Sequence, residues 1–254
     1  MMKPVKLTIS ALILVISTMM LNAQDWPQYF GPERNGISQQ KGLLRTWPDK
    51  GPQVLWTVST GIGFGGPVIK DGKVYLLDRD DKVGDKLRCF DLANGKELWN
   101  FSYDAPGSVQ FPGTRSVPTI DGNRIYTVGP YGQFYCIDIN THKPLWNKNI
   151  WTDFGGGQIP RWAITQCPLV VGDLVIVAAQ TSQTGVVAYE KLTGKIKWQT
   201  PSVGGTGYVS PALIKIGKEN HVVMISASQG RGPTAGGGKV VGIEPLTGKL
   251  LWEY

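Results

Sequence analysis

The chain has 254 residues and a formal net charge of +7, and its basic residues are scattered among acidic and neutral ones. No Lys/Arg run alternates with aromatic residues, so no nucleic-acid groove is expected. An odd number of cysteines and only two histidines argue against a disulfide framework and against a zinc or haem site. Cys89 and Cys136 lie in apolar strand patterns and are predicted to be small buried side chains.

Residues 1–23 are predicted to be a signal peptide. They begin with Lys3 and Lys6, continue through the apolar run TISALILVISTMML, and end at Ala23. An uncleaved membrane anchor is the alternative, but the uncharged stretch is short for a span and contains several hydroxyl residues. No Cys lies near Ala23, so no lipid anchor is expected. The predicted location is the periplasm or the medium, with no stable membrane span after cleavage, and residues 24–50 form an N-terminal extension.

The remainder of the chain is predicted to be an all-β repeat. Short β-branched runs such as VYLL, RIYTV and LVIVAA lie between Gly, Asp and Asn turns, and no helical period is sustained. The first half of each unit is a Pro, an apolar strand, a polar turn and a second strand, beginning at Pro67, Pro118, Pro168 and Pro211. The second half is a strand, an acid, a turn and a strand that ends in Trp, as in CFDLANGKELW.

The unit length predicts a β-propeller of four-stranded antiparallel blades. Trp99, Trp146, Trp198 and Trp252 follow one another at 47, 52 and 54 positions, which suits one blade per unit. The predicted propeller spans residues 51–254, with blades at about 61–103, 112–150, 163–202 and 206–254. Trp56 closes a further segment, residues 53–58, which is predicted to be an outer strand without its own blade.

The residues of the unit have physical roles. Gly in ANGK and LTGK supplies a positive φ between two strands, whereas His142 at that place in THKP predicts a less permissive turn or a bulge. The acid before each turn can accept hydrogen bonds from free turn amides. The five tryptophans, which include Trp56, are predicted to fill the wedge between neighbouring sheets.

These units resemble the tryptophan-docking repeats of PQQ-type β-propellers, and DWPQYFGPERNGIS near the start resembles exported bacterial members of that group. The resemblance implies an eight-bladed disc with a ligand or partner face around a central channel. Four full units and one additional strand then predict an incomplete ring, whose open blade faces would favour self-association. A closed four-bladed ring is the alternative, although it leaves the segment around Trp56 unpaired.

Candidate ligand-face residues lie in the loops that precede the four unit prolines. Phe64, Arg115, Trp162, Gln166 and Tyr208 are predicted to surround the mouth of the channel. Aromatic side chains beside an Arg can hold a flat anionic ligand by stacking and charge. In the alternative interpretation, these loops only pack against one another across the ring.

Two functions remain open at this point. One is a binding or scaffold module of the cell envelope, whose partner is an envelope protein or a small-molecule ligand. The other, implied by the resemblance, is a PQQ-dependent oxidoreductase with calcium, or its N-terminal half. Asp153 is the one loop acid expected at the ligand face, and no catalytic residue or metal site can be assigned. The Gly-rich runs TDFGGGQ and GPTAGGGK lack the order of a phosphate-binding loop and are predicted to be turns.

Overall fold

A computed structural model describes residues 24–228 and 237–254, in which sixteen β-strands form four antiparallel sheets. The first sheet contains β1 (Val68–Lys70), β2 (Lys73–Asp80), β3 (Gly84–Asp91) and β4 (Glu97–Ser102). The second contains β5 (Thr119–Asp121), β6 (Arg124–Val128), β7 (Gln133–Asp138) and β8 (Pro144–Asn149). The third contains β9 (Leu169–Val171), β10 (Leu174–Ala178), β11 (Thr184–Glu190) and β12 (Ile196–Pro201). The fourth contains β13 (Ala212–Ile216), β14 (Glu219–Ser226), β15 (Lys239–Ile243) and β16 (Leu250–Glu253).

The predicted all-β fold with four-stranded blades is confirmed. The strands of every sheet follow the chain order, and a single 3-10 turn, Thr152–Phe154, is the helical element of the described residues. We call the sheets blades 1 to 4. The predicted signal peptide and most of the GPTAGGGK run lie outside the described residues. Within the described part, no helix has the length and apolar character needed to cross a membrane.

Apolar contacts between successive blades form the core. One buried cluster joins blades 1 and 2, a second joins blades 2 and 3, and a third joins blades 3 and 4. Cys89, Cys136 and Cys167 are free and buried in this packing, as was predicted for the first two. A single sheet has two apolar faces and cannot bury both by itself, so the stacking of blades is what stabilises each of them.

The turn acids behave as predicted at three of four positions. Asp91 accepts hydrogen bonds from two turn amides at 2.9 and 3.1 Å, and Asp138 accepts two at 2.9 and 2.7 Å. Glu244 also accepts two, at 3.1 and 2.6 Å. Glu190 differs, because it accepts from the Thr193 hydroxyl at 2.7 Å.

Four of the five docking tryptophans lie against the turn of the next blade. The indole nitrogens of Trp56, Trp146 and Trp198 donate to turn carbonyls at 2.9, 3.2 and 2.9 Å. These three rings cover Gly95, Gly194 and Gly248, where an added Cβ would lie 2.6–2.7 Å from the indole. Trp252 has no following blade in the described residues, and its indole nitrogen donates instead to Nδ1 of His221 in its own blade at 3.0 Å.

The turn at His142 differs from the expected less permissive turn. Its hairpin does contain the register shift of a bulge, between Cys136 and Ile137, but the equivalent hairpins of the other three blades contain the same shift. His142 adopts φ 59°, close to the glycine values of 66–75° at the same place in the other turns. Its N–H donates to the Asp138 carbonyl at 2.9 Å, as the N–H of Gly95 does to Asp91. The imidazole stacks on Trp99 with ring centroids 4.4 Å apart, so an aromatic contact replaces the indole–glycine contact and offsets the cost of the backbone conformation.

Residues 53–58 form no β-strand, which corrects the predicted outer strand. A β-strand needs a hydrogen-bonded neighbour, and none of the described strands lies beside this segment. Trp56 nevertheless occupies its docking position on blade 1, so the segment is held by its indole rather than by its backbone.

Candidate binding cleft

The loops that precede the innermost strands β1, β5, β9 and β13 are hydrogen-bonded to one another; we call them the lead-in loops. In the first pair, the N–H of Phe64 donates to the carbonyl of Thr114 at 2.8 Å. Glycine is required here, because a Cβ on Gly65 would lie 2.3 Å from the carbonyl oxygen of Ser116. The backbone of the first loop therefore lies directly against the second, which brings Phe64 next to Arg115.

The remaining loops are joined through small polar side chains. The N–H of Val117 donates to Sγ of Cys167 at 3.3 Å, and the N–H of Cys167 donates to Oγ of Ser210 at 2.8 Å. Burial raises the pKa of Cys167, so its sulfur acts as a neutral acceptor that connects two loops. The four lead-in loops thus form one continuous hydrogen-bonded rim.

This rim encloses a cleft of about 770 Å³. The structure brings all five sequence-predicted ligand-face residues together in its lining: Phe64, Arg115, Trp162, Gln166 and Tyr208. Their proximity follows from the repeat, because equivalent loops of adjacent blades lie at the same end of the stacked sheets.

Arg115 and Phe64 form the first structural element of the cleft. The guanidinium lies 5.5 Å from the centre of the Phe64 ring. It also donates to the carbonyl oxygens of Gly113, at 2.8 Å, and Phe111. Burial lowers the pKa of Arg115, but a guanidinium stays protonated in proteins, so the group is a fixed cation. Phe64 itself is 67% exposed and offers its ring to the cleft.

Trp162 and Tyr208 form the second element. Their ring centroids lie 5.0 Å apart at an interplanar angle of 51°, and Trp162 is 46% exposed. Tyr208 has φ 54°, a strained value for a bulky residue, which is typical of a side chain held in place by its surroundings. Three aromatic rings and a guanidinium therefore line the same cleft.

Gln166 lines the cleft, and both polar atoms of its side chain are hydrogen-bonded to the backbone of β10. Its amide nitrogen donates to the carbonyl of Ala178 at 2.6 Å, and its amide oxygen accepts from the N–H of Ala178 at 2.7 Å. The side chain is buried, so this pair of bonds joins the lead-in loop of blade 3 to β10. Its predicted role as a ligand contact is corrected to a positioning role.

Residues 24–38 also contribute to the cleft, although they were not among the predicted ligand-face residues. Trp26 pairs with Ile69 of β1, the carbonyl of Pro27 accepts from the N–H of Ile120 in β5, and Arg34 donates to the carbonyl of Pro168 at 3.1 Å. The segment therefore passes the inner ends of blades 1, 2 and 3. Its side chains Tyr29, Phe30 and Arg34 line the cleft. In the sequence, the density of aromatic residues in DWPQYFGP is the feature that indicates such a role.

A buried ion pair supports the loop that leads into blade 2. Arg79 lies 3.1 Å from Asp85, and both side chains are almost fully buried. Arg79 also donates to the carbonyl oxygens of Ala105 and Gly107, at 2.6 and 2.8 Å, while the Tyr103 hydroxyl donates to Asp85 at 2.6 Å. Burial raises the pKa of Asp85, and its bonds with Arg79 and Tyr103 offset its desolvation only in part. The loop before Arg115 is thereby fixed to blade 1.

The donor set of the cleft suits a planar anion better than a calcium ion. Calcium requires several oxygen ligands, chiefly carboxylates. The described lining contains no carboxylate, and no group of three His, Cys, Asp or Glu residues that could hold a metal occurs in residues 24–228 and 237–254. Asp153, the acid expected at the ligand face, does not line the cleft and accepts from the N–H of Asn149 at 2.9 Å.

The chain is similar in sequence to two groups of proteins, quinoprotein dehydrogenases and the outer membrane protein assembly factor BamB. A quinoprotein ethanol dehydrogenase of Pseudomonas aeruginosa is 27% identical over 164 residues, which cover 61% of this chain and 24% of that protein. An outer membrane protein assembly factor BamB of Bordetella pertussis is 25% identical over 214 residues, which cover 83% of this chain and 47% of that protein. The chain thus spans between about a quarter and a half of the length of these relatives.

Solved structures show the same fold. The quinohemoprotein alcohol dehydrogenase of Comamonas testosteroni superposes with a TM-score of 0.61 over 91% of this chain and 41% of that one, at 18% identity. BamB of Moraxella catarrhalis superposes with a TM-score of 0.54 over 79% of this chain and 51% of that one, also at 18% identity. Both likenesses concern the fold alone, because the identities are low.

A sequence model of a protein family matches residues 83–254, which is most of the chain and includes strands of all four blades. The description of that family is outer membrane protein assembly factor BamB. Together with the four tryptophan-docking blades, this match shows that the chain belongs to this family of PQQ-like β-propeller repeat proteins.

Proposed function

We propose that the protein is an exported binding module of the cell envelope, which holds a protein segment or a small ligand in the cleft at the lead-in loops. The cleft itself carries this proposal. It combines exposed aromatic rings with the fixed cation Arg115 and contains no carboxylate in its described lining. Such a surface favours binding by stacking and charge, whereas catalysis would need an acid or base beside the bound group.

A PQQ-dependent dehydrogenase, or the N-terminal half of one, is the second candidate. Quinoprotein alcohol dehydrogenases are among the curated relatives, and PQQ is a flat anion that aromatic rings and an Arg can bind. PQQ bound there would supply the oxidising chemistry. The described lining offers no carboxylate to hold the calcium that accompanies it, which favours the binding module.

PQQ titration separates the two candidates. The purified protein is titrated with PQQ, with and without calcium, while its absorption spectrum, its thermal stability and dye-linked ethanol oxidation are followed. The binding module predicts no alcohol oxidation under any condition. Oxidation that disappears in Arg115→Gln but persists in Arg45→Gln, an exposed arginine outside the cleft, would overturn the proposal in favour of the dehydrogenase.

Site-specific crosslinking tests the protein-binding form of the proposal. A photo-crosslinking amino acid replaces Phe64 in cells that export the protein, and the same amino acid replaces Leu192, an exposed side chain outside the cleft, as a control. We expect an adduct with a defined envelope protein at position 64, and its loss on Arg115→Glu. Equal labelling at both positions would contradict a role for the cleft.

The predicted signal peptide carries the export part of this proposal. Cell fractionation should place the protein in the periplasm or the medium, and sequencing of its amino terminus should place the first residue just after Ala23. A cytoplasmic protein that retains Met1 would overturn this part of the proposal, while the cleft experiments would still test the binding role.

A further inference from the structure

The innermost strands of the first two blades each form backbone hydrogen bonds, at one position of their free edges, with a segment of this chain that contains Trp26 and Pro27. The N–H of Trp26 donates to the carbonyl of Ile69 at 2.8 Å, and the N–H of Ile69 donates to the carbonyl of Trp26 at 3.0 Å. Ile120, at the equivalent position of β5, donates its N–H to Pro27 at 2.8 Å. The inner edge of a blade in this protein is therefore a surface on which an extended peptide can pair.

Strand β13 presents the same edge without a partner among the described residues. Counted from the unit prolines, Leu213 is the equivalent of Ile69. The pairing of β13 with β14 alternates, so that the N–H and C=O of Leu213 and of Lys215 point away from β14. The described backbone forms no hydrogen bond to these groups. Ala212, Leu213 and Ile214 line the cleft, so this open edge faces the proposed binding site.

A cation near the edge of β13 can hold an acid, although it lies at a different position from Lys70, the cation that holds the acid of the internal segment. Next to Trp26, Asp25 accepts hydrogen bonds from Nζ of Lys70 at 2.8 Å and from the N–H of Asp71 at 3.0 Å. Counted from the unit prolines, Lys215 corresponds to Asp71, but it lies within β13 and pairs with Asn220, whereas Asp71 lies in the turn after β1. Lys215 is exposed, so it offers both an outward N–H and a positive charge at this edge. Arg34 and Arg115 add two further cations to the cleft lining.

We propose that the cleft binds an extended peptide segment in which an acid precedes an aromatic residue, and that this segment pairs with the edge of β13. The aromatic residue lies opposite Leu213 with two backbone hydrogen bonds, as Trp26 lies opposite Ile69, and the acid contacts Lys215. This inference rests on the proposed binding function and names the class of partner.

The chain supplies its own probe for this proposal. A fluorescent peptide with the sequence of residues 24–29, Gln-Asp-Trp-Pro-Gln-Tyr, contains the acid and the aromatic residue in the required order. Its binding to the purified protein is measured by fluorescence polarisation. A second peptide carries a methyl group on the backbone amide nitrogen of its Trp. This change removes one backbone hydrogen bond and retains every side chain. We expect about tenfold weaker binding of the methylated peptide.

Two substitutions in β13 of the protein test the same strand pairing. Leu213→Pro removes the N–H that points into the cleft, and an edge strand tolerates Pro at such a position, so about tenfold weaker binding is expected. Because the Leu213 side chain also packs on the core between blades 3 and 4, its thermal stability is measured in parallel. Lys215→Glu reverses an exposed charge and should weaken binding severalfold, whereas Lys197→Glu on an outer strand should leave binding unchanged.

Equal affinity for the methylated and unmethylated peptides would overturn the strand pairing, as would an unchanged affinity in both Leu213→Pro and Lys215→Glu. No measurable peptide binding would also overturn it. If the peptide fails but the crosslinker at position 64 still yields a defined adduct, the proposed binding function stands without this partner class. If neither peptide binding nor a defined adduct at position 64 is observed, the proposed binding function is refuted together with the strand pairing.

Discussion

Substitution of Gly194 by Ala tests the docking of tryptophan on the turn of the next blade. Gly194 has φ 66°, and an added Cβ would lie 2.7 Å from the indole of Trp146. The positive φ costs about 1–2 kcal/mol for an L-residue. Displacement of a packed side chain adds about 1–3 kcal/mol. The displaced indole is buried and would also lose its 3.2 Å hydrogen bond to the carbonyl of Lys191.

Gly172→Ala is the matched control for this substitution. Gly172 has φ 56°, and an added Cβ would meet nothing within 4 Å, so only the backbone cost of about 1–2 kcal/mol is expected. Urea unfolding followed by tryptophan fluorescence and circular dichroism gives the free energy of unfolding of each variant. Gly194→Ala should be less stable than Gly172→Ala by about 1–3 kcal/mol. Equal losses of stability in the two variants would show that the docking of the Trp146 indole does not require a glycine at position 194.

The remaining predictions concern buried and charged groups. Burial raises the pKa of Cys89 to about 11 and of Cys136 to about 12, so iodoacetamide at pH 8 should label the folded protein slowly and all three cysteines in urea; rapid native labelling would contradict the packing. The hydrogen bond from the backbone N–H of Thr141 lowers the pKa of Asp138. The ionised Asp138 carboxylate therefore stabilises the fold above the ordinary pKa of about 3.9, and this stabilisation is lost as the pH falls through the lowered pKa. Thermal unfolding should therefore show the Asp138→Asn variant approaching wild-type stability near about pH 2, and a constant difference would refute this. Asp85→Ala removes one of the two carboxylates that pair with the buried Arg79, together with the acceptor of the Tyr103 hydroxyl, while Asp81 stays 2.8 Å from Arg79. It should destabilise the fold by about 1–3 kcal/mol in urea unfolding, whereas an unchanged free energy of unfolding would show that the pair is replaceable.

The repeat could be read from the sequence because its signals are local. An acid, a turn glycine and a closing Trp within one hairpin have the same consequences in each blade, whatever the neighbouring blades do. His142 shows the limit of such reasoning. Its side chain predicts an altered turn, but the stacked ring of Trp99 from the preceding blade offsets the positive φ, and this contact joins residues that lie far apart along the chain.

The candidate site shows the same division. The position of Phe64, Arg115 and Tyr208 before the unit prolines predicted that they lie near one another, because equivalent loops of stacked blades share one end. Gln166 occupies an equivalent loop, yet its amide is used by the backbone of Ala178. Whether a polar side chain is free depends on its hydrogen-bond partners, which the spacing of residues does not reveal.

The amino-acid sequence by itself determined the all-β class, the four-stranded blade and the tryptophan as the contact between blades, because periodic burial and turn chemistry act within a few residues. Only the tertiary structure decided that residues 24–38 lie along the inner strands, that Asp153 is outside the cleft, and that the edge of β13 is open. These features arise from pairing between distant segments, where the backbone hydrogen bonds of Trp26 with Ile69 depend on the shape of the assembled blades rather than on either sequence alone.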